Sequence, residues 1–325
     1  MLNKIRSKYI LSKPYEYISL KRFLNMIKYN KSLQKKFNLS FNSYFQIKIV
    51  VIPLQEEIKE NKVFINIMNK KDENFFHIFF NGGEKEIKRN YIKQNEKVSK
   101  IKILIDKEIK SFANLFDGID FVKKIIFRKF NRNDFTDFNS MFNGCTKLIK
   151  LDTTKLKTDN VKNMKSMFSH CSSLKHFDLS KFNTEKVENM EEMFFGCESL
   201  KKINISNFKT DKVKKMLKMF CECKSLNKLD LSNFITDNVD DMTSMFERCL
   251  SLKELNISNF KFNVTTNVHS MFSGCLNELE DDIRSKFKTL SERMAFFNLD
   301  MLNMSGCTLE YPYDYIYNEE DDENL

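Results

Sequence analysis

The sequence predicts an α/β solenoid in which short parallel strands form one face and helices form the other. The first observation behind this prediction is a pentapeptide, Met-Phe-x-x-Cys, which recurs at a constant interval. Its six copies start at Met141, Met167, Met193, Met219, Met245 and Met271, which gives a 26-residue period. The second is that the apolar residues between the copies fall into columns with the same spacing. A fixed period of this length is the signature of stacked repeats.

The strand is predicted from the first half of each repeat. In the repeat that ends at Cys249, Leu226, Leu229 and Leu231 follow the pattern L-x-x-L-x-L. Alternation of Leu229 and Leu231 about Asp230 is typical of a strand with one buried face. Strands of neighbouring repeats would then join as a parallel sheet, because a single repeat cannot bury its apolar face alone.

The helix is predicted from the second half of the repeat. The apolar residues there are spaced three to four apart, as on one face of a helix: Val239, Met242, Met245, Phe246 and Cys249. Thr236 would cap this helix through its hydroxyl group, and Asp237 would lie in the first turn, where the helix dipole favours an anion. Each repeat therefore reads as strand, turn, helix and turn.

The repeat array is predicted over residues 112–275, with residues 112–140 as a degenerate first turn. Phe116, Val122 and Ile125 fall one period before apolar columns of the first full repeat. Terminal repeats usually differ in sequence because one side lacks a neighbour. At the other end Glu278 stands where a leucine is due, so the array is expected to stop before it.

The flanks are predicted to form caps: a helical and β-rich one at the N-terminus and a helical one at the C-terminus. Residues 1–45 are interpreted as a basic helical head and residues 46–111 as a β-rich segment, with strands over 46–54, 62–68, 75–80, 86–92 and 100–106. A turn at Asn81-Gly82-Gly83 would pair two of these strands. Residues 276–310 form the C-terminal cap, with a helix over 277–296 that buries Leu279, Ile283, Phe287, Leu290 and Met294. Residues 311–325 are an acidic tail.

The charge is distributed unevenly, although the net charge of the chain is +10. Residues 1–45 hold ten basic residues and one acidic residue, whereas residues 276–325 hold 13 acidic and four basic residues. The basic head could bind nucleic acid or an anionic membrane. Alternatively, it is a solvated helix, or it pairs with the acidic tail.

The sequence offers no catalytic site. It contains no nucleophile elbow, phosphate-binding loop or dinucleotide fingerprint. His170 lies next to Cys171, but Cys171 belongs to a core column, so no catalytic pair is expected. Metal sites favour C-x₂-C pairs, and the only close pair here is Cys221-x-Cys223. We therefore expect buried thiols, no metal, no cofactor, no small-molecule substrate and no enzyme activity.

The candidate binding site is the concave strand face, which solenoids commonly use for recognition. Two columns of the strands would point outward from this face. They comprise Lys150, Asp152, His176, Asp178, Lys202, Asn204, Lys228, Asp230, Glu254 and Asn256. These residues are mixed in charge and include no aromatic side chain, and the Asp/Asn column could instead serve the geometry of the repeat.

The repeat pattern L-x-x-L-D-L-S-x-F-x-T-x-x-V-x-x-M-x-x-M-F-x-x-C resembles the BspA-type leucine-rich repeat, in the variant found in mycoplasma surface proteins. The likeness covers about residues 141–275, with a degenerate extension to about residue 112. The resemblance implies a leucine-rich-repeat-like solenoid that is used in protein binding or adhesion.

The favoured hypothesis is a protein–protein interaction scaffold with a protein partner. The alternatives are a cell-surface adhesin of BspA type and a binder of nucleic acid or anionic membrane through residues 1–45. Lys8, Lys13 and Glu16 interrupt any apolar core of a secretory signal, and no uncharged stretch is long enough to span a membrane. A cytoplasmic location is therefore expected, and the resemblance implies that a surface location is also possible.

Overall fold

The structure is a computed structural model, and it describes residues 32, 47–106, 109 and 111–297 of the chain. Strands and turns dominate these residues, and helices are few. The core is one continuous apolar cluster that runs from Ile47 to Ala295. The predicted head (1–45), apart from Ser32, and the predicted tail (311–325) lie outside the described residues.

The segment before the repeats is built around an antiparallel sheet. Its strands in chain order are β1 (Ile47–Pro53), β2 (Lys62–Val63), β3 (Phe76–Phe80), β4 (Tyr91–Ile92), β5 (Ile101–Ile105) and β6 (Val122–Phe130). Strands β3, β5, β1 and β6 are neighbours in that order, and β2 pairs separately with β4. Two short 3-10 helices, Gln55–Glu57 and Lys70–Phe75, lie between the strands.

The predicted strands over 46–54, 75–80 and 100–106 are confirmed, while those over 62–68 and 86–92 shrink to two residues each. The chain beyond β2 binds the first turn of the array instead: the Asn66 N–H donates to the carbonyl of Leu115 at 2.9 Å, and its side-chain amide donates to the carbonyls of Asn114 and Asp117 at 3.0 and 2.8 Å. The turn at Asn81–Gly83 forms, but the predicted hairpin reduces to one bridge, Ile78 with Ile87. Strand β3 pairs with β5 instead.

Strand β6 joins this sheet to the repeats. One edge of β6 pairs antiparallel with β1, and its other edge pairs parallel with the first strand of the full repeats, β7 (Lys150–Asp152). The degenerate first turn therefore leaves no unpaired strand edge at the start of the array, since the backbone groups of β6 bond to β1 on one side and to β7 on the other.

The remaining repeats each contribute one three-residue strand. These are β8 (His176–Asp178), β9 (Lys202–Asn204), β10 (Lys228–Asp230) and β11 (Glu254–Asn256). Strand β8 pairs parallel with β9, and β10 pairs parallel with β11, so that each residue lies opposite its equivalent in the next repeat. The central residue of each strand faces the core.

The predicted helices of the repeats are wrong, because the structure has consecutive tight turns there. In the second repeat, alternate N–H groups bind within the repeat: those of Met167 and Cys171 donate to the carbonyls three residues earlier, both at 3.2 Å. The N–H groups of Phe168 and His170 donate to the next repeat, to the carbonyls of Met193 and Phe195 at 3.0 and 2.6 Å. An α-helix would instead direct every N–H to the carbonyl four residues earlier.

Positive φ angles at two positions of every repeat prevent a helix from forming there. In the second repeat the angles are 51° at Ser166, which directly precedes the Met-Phe-x-x-Cys pentapeptide, and 54° at His170 within it. The residue equivalent to His170 is glycine in three repeats, Gly144, Gly196 and Gly274, with φ between 66° and 68°. Glycine adopts this left-handed conformation without steric cost.

The predicted helix cap at the threonine column is also wrong. The Thr210 hydroxyl donates to the carbonyl of Ile235 and accepts from the Ile235 N–H, both at 2.8 Å. Thr158, Thr184 and Thr236 make the same pair of bonds to the following repeat. These buried hydroxyls satisfy backbone groups of the following repeat, so each threonine fastens two repeats together.

Stacked phenylalanine rings form the centre of the core. Each ring lies nearly parallel to the equivalent ring of the next repeat, with centroids 5.3 to 5.9 Å apart. The column comprises Phe116, Phe142, Phe168, Phe194, Phe220, Phe246 and Phe272, all buried.

The C-terminal cap consists of two helices rather than the single helix predicted over 277–296. Helix α1 spans Asn277–Lys286 and helix α2 spans Thr289–Glu292. Leu279, Ile283 and Leu290 are buried as predicted, Phe287 is half-buried, and Met294 is exposed with a φ of 54°. The chain then continues the stack, because Phe272 donates its N–H to the carbonyl of Ala295 and its ring packs on Phe296.

Candidate functional site

The ten predicted binding residues lie in strands β7 to β11, and we call them the strand strip. Nine of the ten are exposed, and Asp152 is half-buried. They form two columns that flank the inward residue of each strand, and the pairing of β8 with β9 and of β10 with β11 sets equivalent residues opposite each other. The structure therefore places these residues on the same face of the repeats.

The Asp/Asn column of the strand strip bonds to the backbone of its own repeat. Asp178 accepts the N–H of Ser180 at 3.0 Å, and Asp230 accepts that of Ser232 at 3.0 Å. These N–H donors, with the serine hydroxyls, lower the pKa of both carboxyl groups, so the side chains stay ionised. Asp152, Asn204 and Asn256 bond in the same way. This column therefore fixes the turn after each strand.

The other column of the strand strip comprises Lys150, His176, Lys202, Lys228 and Glu254. Lys228 and Glu254 are partners in the strand register, and they form an ion pair at 2.5 Å. His176 is the register partner of Lys202. Because these side chains make few bonds to the backbone, this column is the part of the strip that is open to a partner.

Sequence reasoning missed a third column, which lies directly before the strands. Lys175, Lys201 and Lys253 are exposed there, next to His176, Lys202 and Glu254. The column precedes the strand, so the alternation of side chains along a strand could not predict whether these lysines point outward. The sequence feature that could have identified this column is the recurrence of lysine at the 26-residue period of the repeat.

The six repeated cysteines are buried core groups. Each thiol contacts the carbonyl of a phenylalanine in the preceding repeat at 3.1 to 3.3 Å. Burial raises the pKa of the Cys197 and Cys275 thiols to about 12. All seven cysteines in the described part of the chain are free thiols.

His170 and Cys171 do not form a catalytic pair. The Cys171 thiol donates to the carbonyl of Phe142 at 3.2 Å, and burial raises its pKa well above the ordinary range. The His170 ring packs edge-on against Phe195, with ring centroids 4.7 Å apart. A nucleophile needs a base within hydrogen-bond reach and access to substrate, and the buried Cys171 lacks that access.

Across residues 47–106, 109 and 111–297, no group of three or more His, Cys, Asp or Glu side chains is arranged to hold a metal ion. None of the helices in the same residues has the length and apolar character that a membrane span requires.

The comparison with protein families gives a match over most of the described chain. The model of the family described as "Mycoplasma protein of unknown function, DUF285" matches twice, over residues 87–204 and 175–287. The two overlapping matches contain the array and part of the sheet before it. No curated protein and no solved structure matched the chain. Because the matches together cover more than half of its 325 residues, this chain belongs to the DUF285 family of Mycoplasma proteins of unknown function.

Proposed function

We propose that this chain is a non-enzymatic protein-interaction scaffold, and that its repeats form a leucine-rich-repeat-like solenoid of BspA type. Support for the solenoid comes from the uniform one-repeat step in the strand pairing, in the parallel bridges that link the turns of successive repeats from Asp137 to Asn267, and in the phenylalanine column. Such a stack presents an extended surface without needing a pocket. The partner is a protein, and the expected cytoplasmic location remains part of the proposal.

One observation carries the proposal. The residues that stack the repeats are the same in almost every repeat, whereas the exposed lysine-rich column of the strand strip changes from Lys150 to His176, Lys202, Lys228 and Glu254. Stacking explains the constant columns, but it places no demand on the exposed column. A specific protein partner would account for this individual pattern of side chains, because recognition depends on complementary charge and shape.

The test is partner capture by the full chain and by two matched double variants. Lys202→Ala with Lys228→Ala changes the strand strip, and Lys186→Ala with Lys212→Ala removes two exposed lysines from neighbouring repeats elsewhere. Captured proteins would be compared by mass spectrometry, and folding would be checked by circular dichroism and thermal melting. We expect the first variant to lose a partner that the wild type and the control retain. Equal capture by all three would contradict the proposed site.

A further inference from the structure

A band of lysines runs along the first half of the strand face. It comprises Lys123, Lys124, Lys150, Lys175, Lys201 and Lys202, which we call the lysine band. These residues lie in, or directly before, strands β6 to β9, and each is exposed or half-buried. The band contains no acidic residue, whereas the same two columns end in Glu254 at the far end of the array.

The strand register places like charges of this band next to one another. Lys124 is the register partner of Lys150, and the Lys201 N–H donates to the carbonyl of Lys175, one repeat earlier, at 2.8 Å. Like charges directly opposite each other in a sheet are destabilising. Within the described part of the chain, none of the six lysines forms an ion pair. The lysine band therefore carries a repulsion that the described residues do not offset.

The repeat itself does not force this repulsion, because other columns use the same one-repeat step to pair opposite charges. Lys162 contacts Glu188 at 3.4 Å, and Lys165 contacts Glu191 at 2.8 Å. Glu198 contacts Lys224 at 2.7 Å in the same way. The lysine band instead extends unpaired like charges over four successive strands, β6 to β9. A bound anionic partner would remove the repulsion.

We propose that the lysine band binds an acidic segment of a partner protein, an inference that rests on the proposed function because it names the partner chemistry of the same face. Asp152 and Asp178 lie beside the band, where their carboxylates can accept N–H groups of a peptide backbone. Between residues 122 and 206 the exposed strand-face positions hold no aromatic ring on which a base could stack.

The test measures binding of a fluorescent decaglutamate peptide to the full chain by anisotropy, at low and at near-physiological ionic strength. The band variant carries Lys175→Ala, Lys201→Ala and Lys202→Ala. The control carries Lys186→Ala, Lys212→Ala and Lys214→Ala, which removes the same charge from exposed positions outside the band. We expect the peptide to bind about 10-fold more weakly to the band variant, and less than about twofold more weakly to the control. Added salt should weaken binding to the wild type.

Three results would overturn the proposal. These are no binding at low salt, equal losses in the two variants, and tighter binding of a single-stranded oligonucleotide of the same charge, which would assign the band to nucleic acid. A competition experiment separates this inference from the proposed function. If decaglutamate displaces the captured partner, the result supports both the scaffold function and the acidic partner segment. If the partner is lost from the strand-strip variant but is not displaced by decaglutamate, the scaffold function stands and the acidic partner is wrong.

Discussion

The two faces of the repeats differ in how they are held together. On the strand face, the strands pair two by two between residues 122 and 256: β6 with β7, β8 with β9, and β10 with β11. On the turn face, a single line of parallel bridges runs without interruption through Asp137, Asn163, Asn189, Lys215, Asp241 and Asn267. Buried thiols, threonine hydroxyls and stacked rings add to the contacts behind it.

Under the proposed function, this difference separates the residues that stabilise the fold from those that bind a partner. The turn face directs N–H groups to the next repeat, and its inward valine, methionine, phenylalanine and cysteine residues recur in nearly every copy. The strand face leaves two or three side chains per repeat free to vary, because only the central strand residue enters the core. Changes on the turn face should therefore affect folding, and changes on the strand face should affect binding.

Alkaline pH should give the largest effect, because it acts on six turn-face thiols at once. Burial raises their pKa above the ordinary value of 9.0, to about 12 for Cys197. The unfolded chain releases these protons first, so the thiols stabilise the fold below pH 9 and this contribution is lost as the pH rises towards about 12. Denaturant unfolding at a series of pH values would measure the loss. Cys197→Ala should give a shallower decline, and an identical decline would contradict the role of Cys197.

Phe194→Ala should cost about 3–5 kcal/mol of unfolding free energy, because it leaves a cavity in the stacked column. Phe194 is fully buried, with ring centroids 5.7 Å from Phe168 and 5.3 Å from Phe220. Its chain neighbour Phe195 is half-buried and serves as the control, since Phe195→Ala should cost about 1 kcal/mol. Urea denaturation of both variants would measure the difference. Similar losses of unfolding free energy in the two variants would mean that the phenylalanine column does not contribute more to stability than a half-buried ring.

Thr210→Val should cost about 1–3 kcal/mol, because the N–H and carbonyl of Ile235 would both lose the partner that the buried Thr210 hydroxyl supplies. The substitution keeps the volume of the side chain and removes only the hydroxyl. Thr210→Ser keeps the hydroxyl and should retain most of the stability. Chemical denaturation can rank the three proteins, and a valine variant as stable as the wild type would refute the bridging role.

Glu222→Gly should be the smallest effect and a stabilising one, of about 0.5–1 kcal/mol. Glu222 has a φ of 58°, at a position that is glycine in three other repeats. Glycine relieves the strain of that conformation. Glu198→Gly is a matched control, because Glu198 and Glu222 both form ion pairs with Lys224 and only Glu222 has a positive φ. Thermal melting should show a higher midpoint for Glu222→Gly alone.

The sequence was sufficient to predict the stacking of the repeats, their strands and their buried columns. The helix prediction failed because spacings of three to four were interpreted as a helical face. The inward residues Val161, Met164 and Met167 step by three, as do Phe168, Cys171 and Leu174. A helix face would alternate steps of three and four. Together with the glycines equivalent to His170, this strict step of three was the signal for consecutive turns.

The candidate site was predictable in position but not in its details. Alternation about the inward strand residue placed all ten residues of the strand strip on one face. It could not show that Asp178 and Asp230 bond to their own turns, because those bonds depend on the path of the chain after each strand. Nor could it orient Lys175 and Lys201, which precede the alternating pattern.

The most direct test of the turn face is to measure scalar couplings across its hydrogen bonds by nuclear magnetic resonance. The structure predicts a coupling between the amide nitrogen of Phe168 and the carbonyl carbon of Met193 in the next repeat. A helix would instead couple Phe168 to Met164 of its own repeat. The coupling to Met193 would establish that the turns fasten the repeats to one another, and the coupling to Met164 would contradict it.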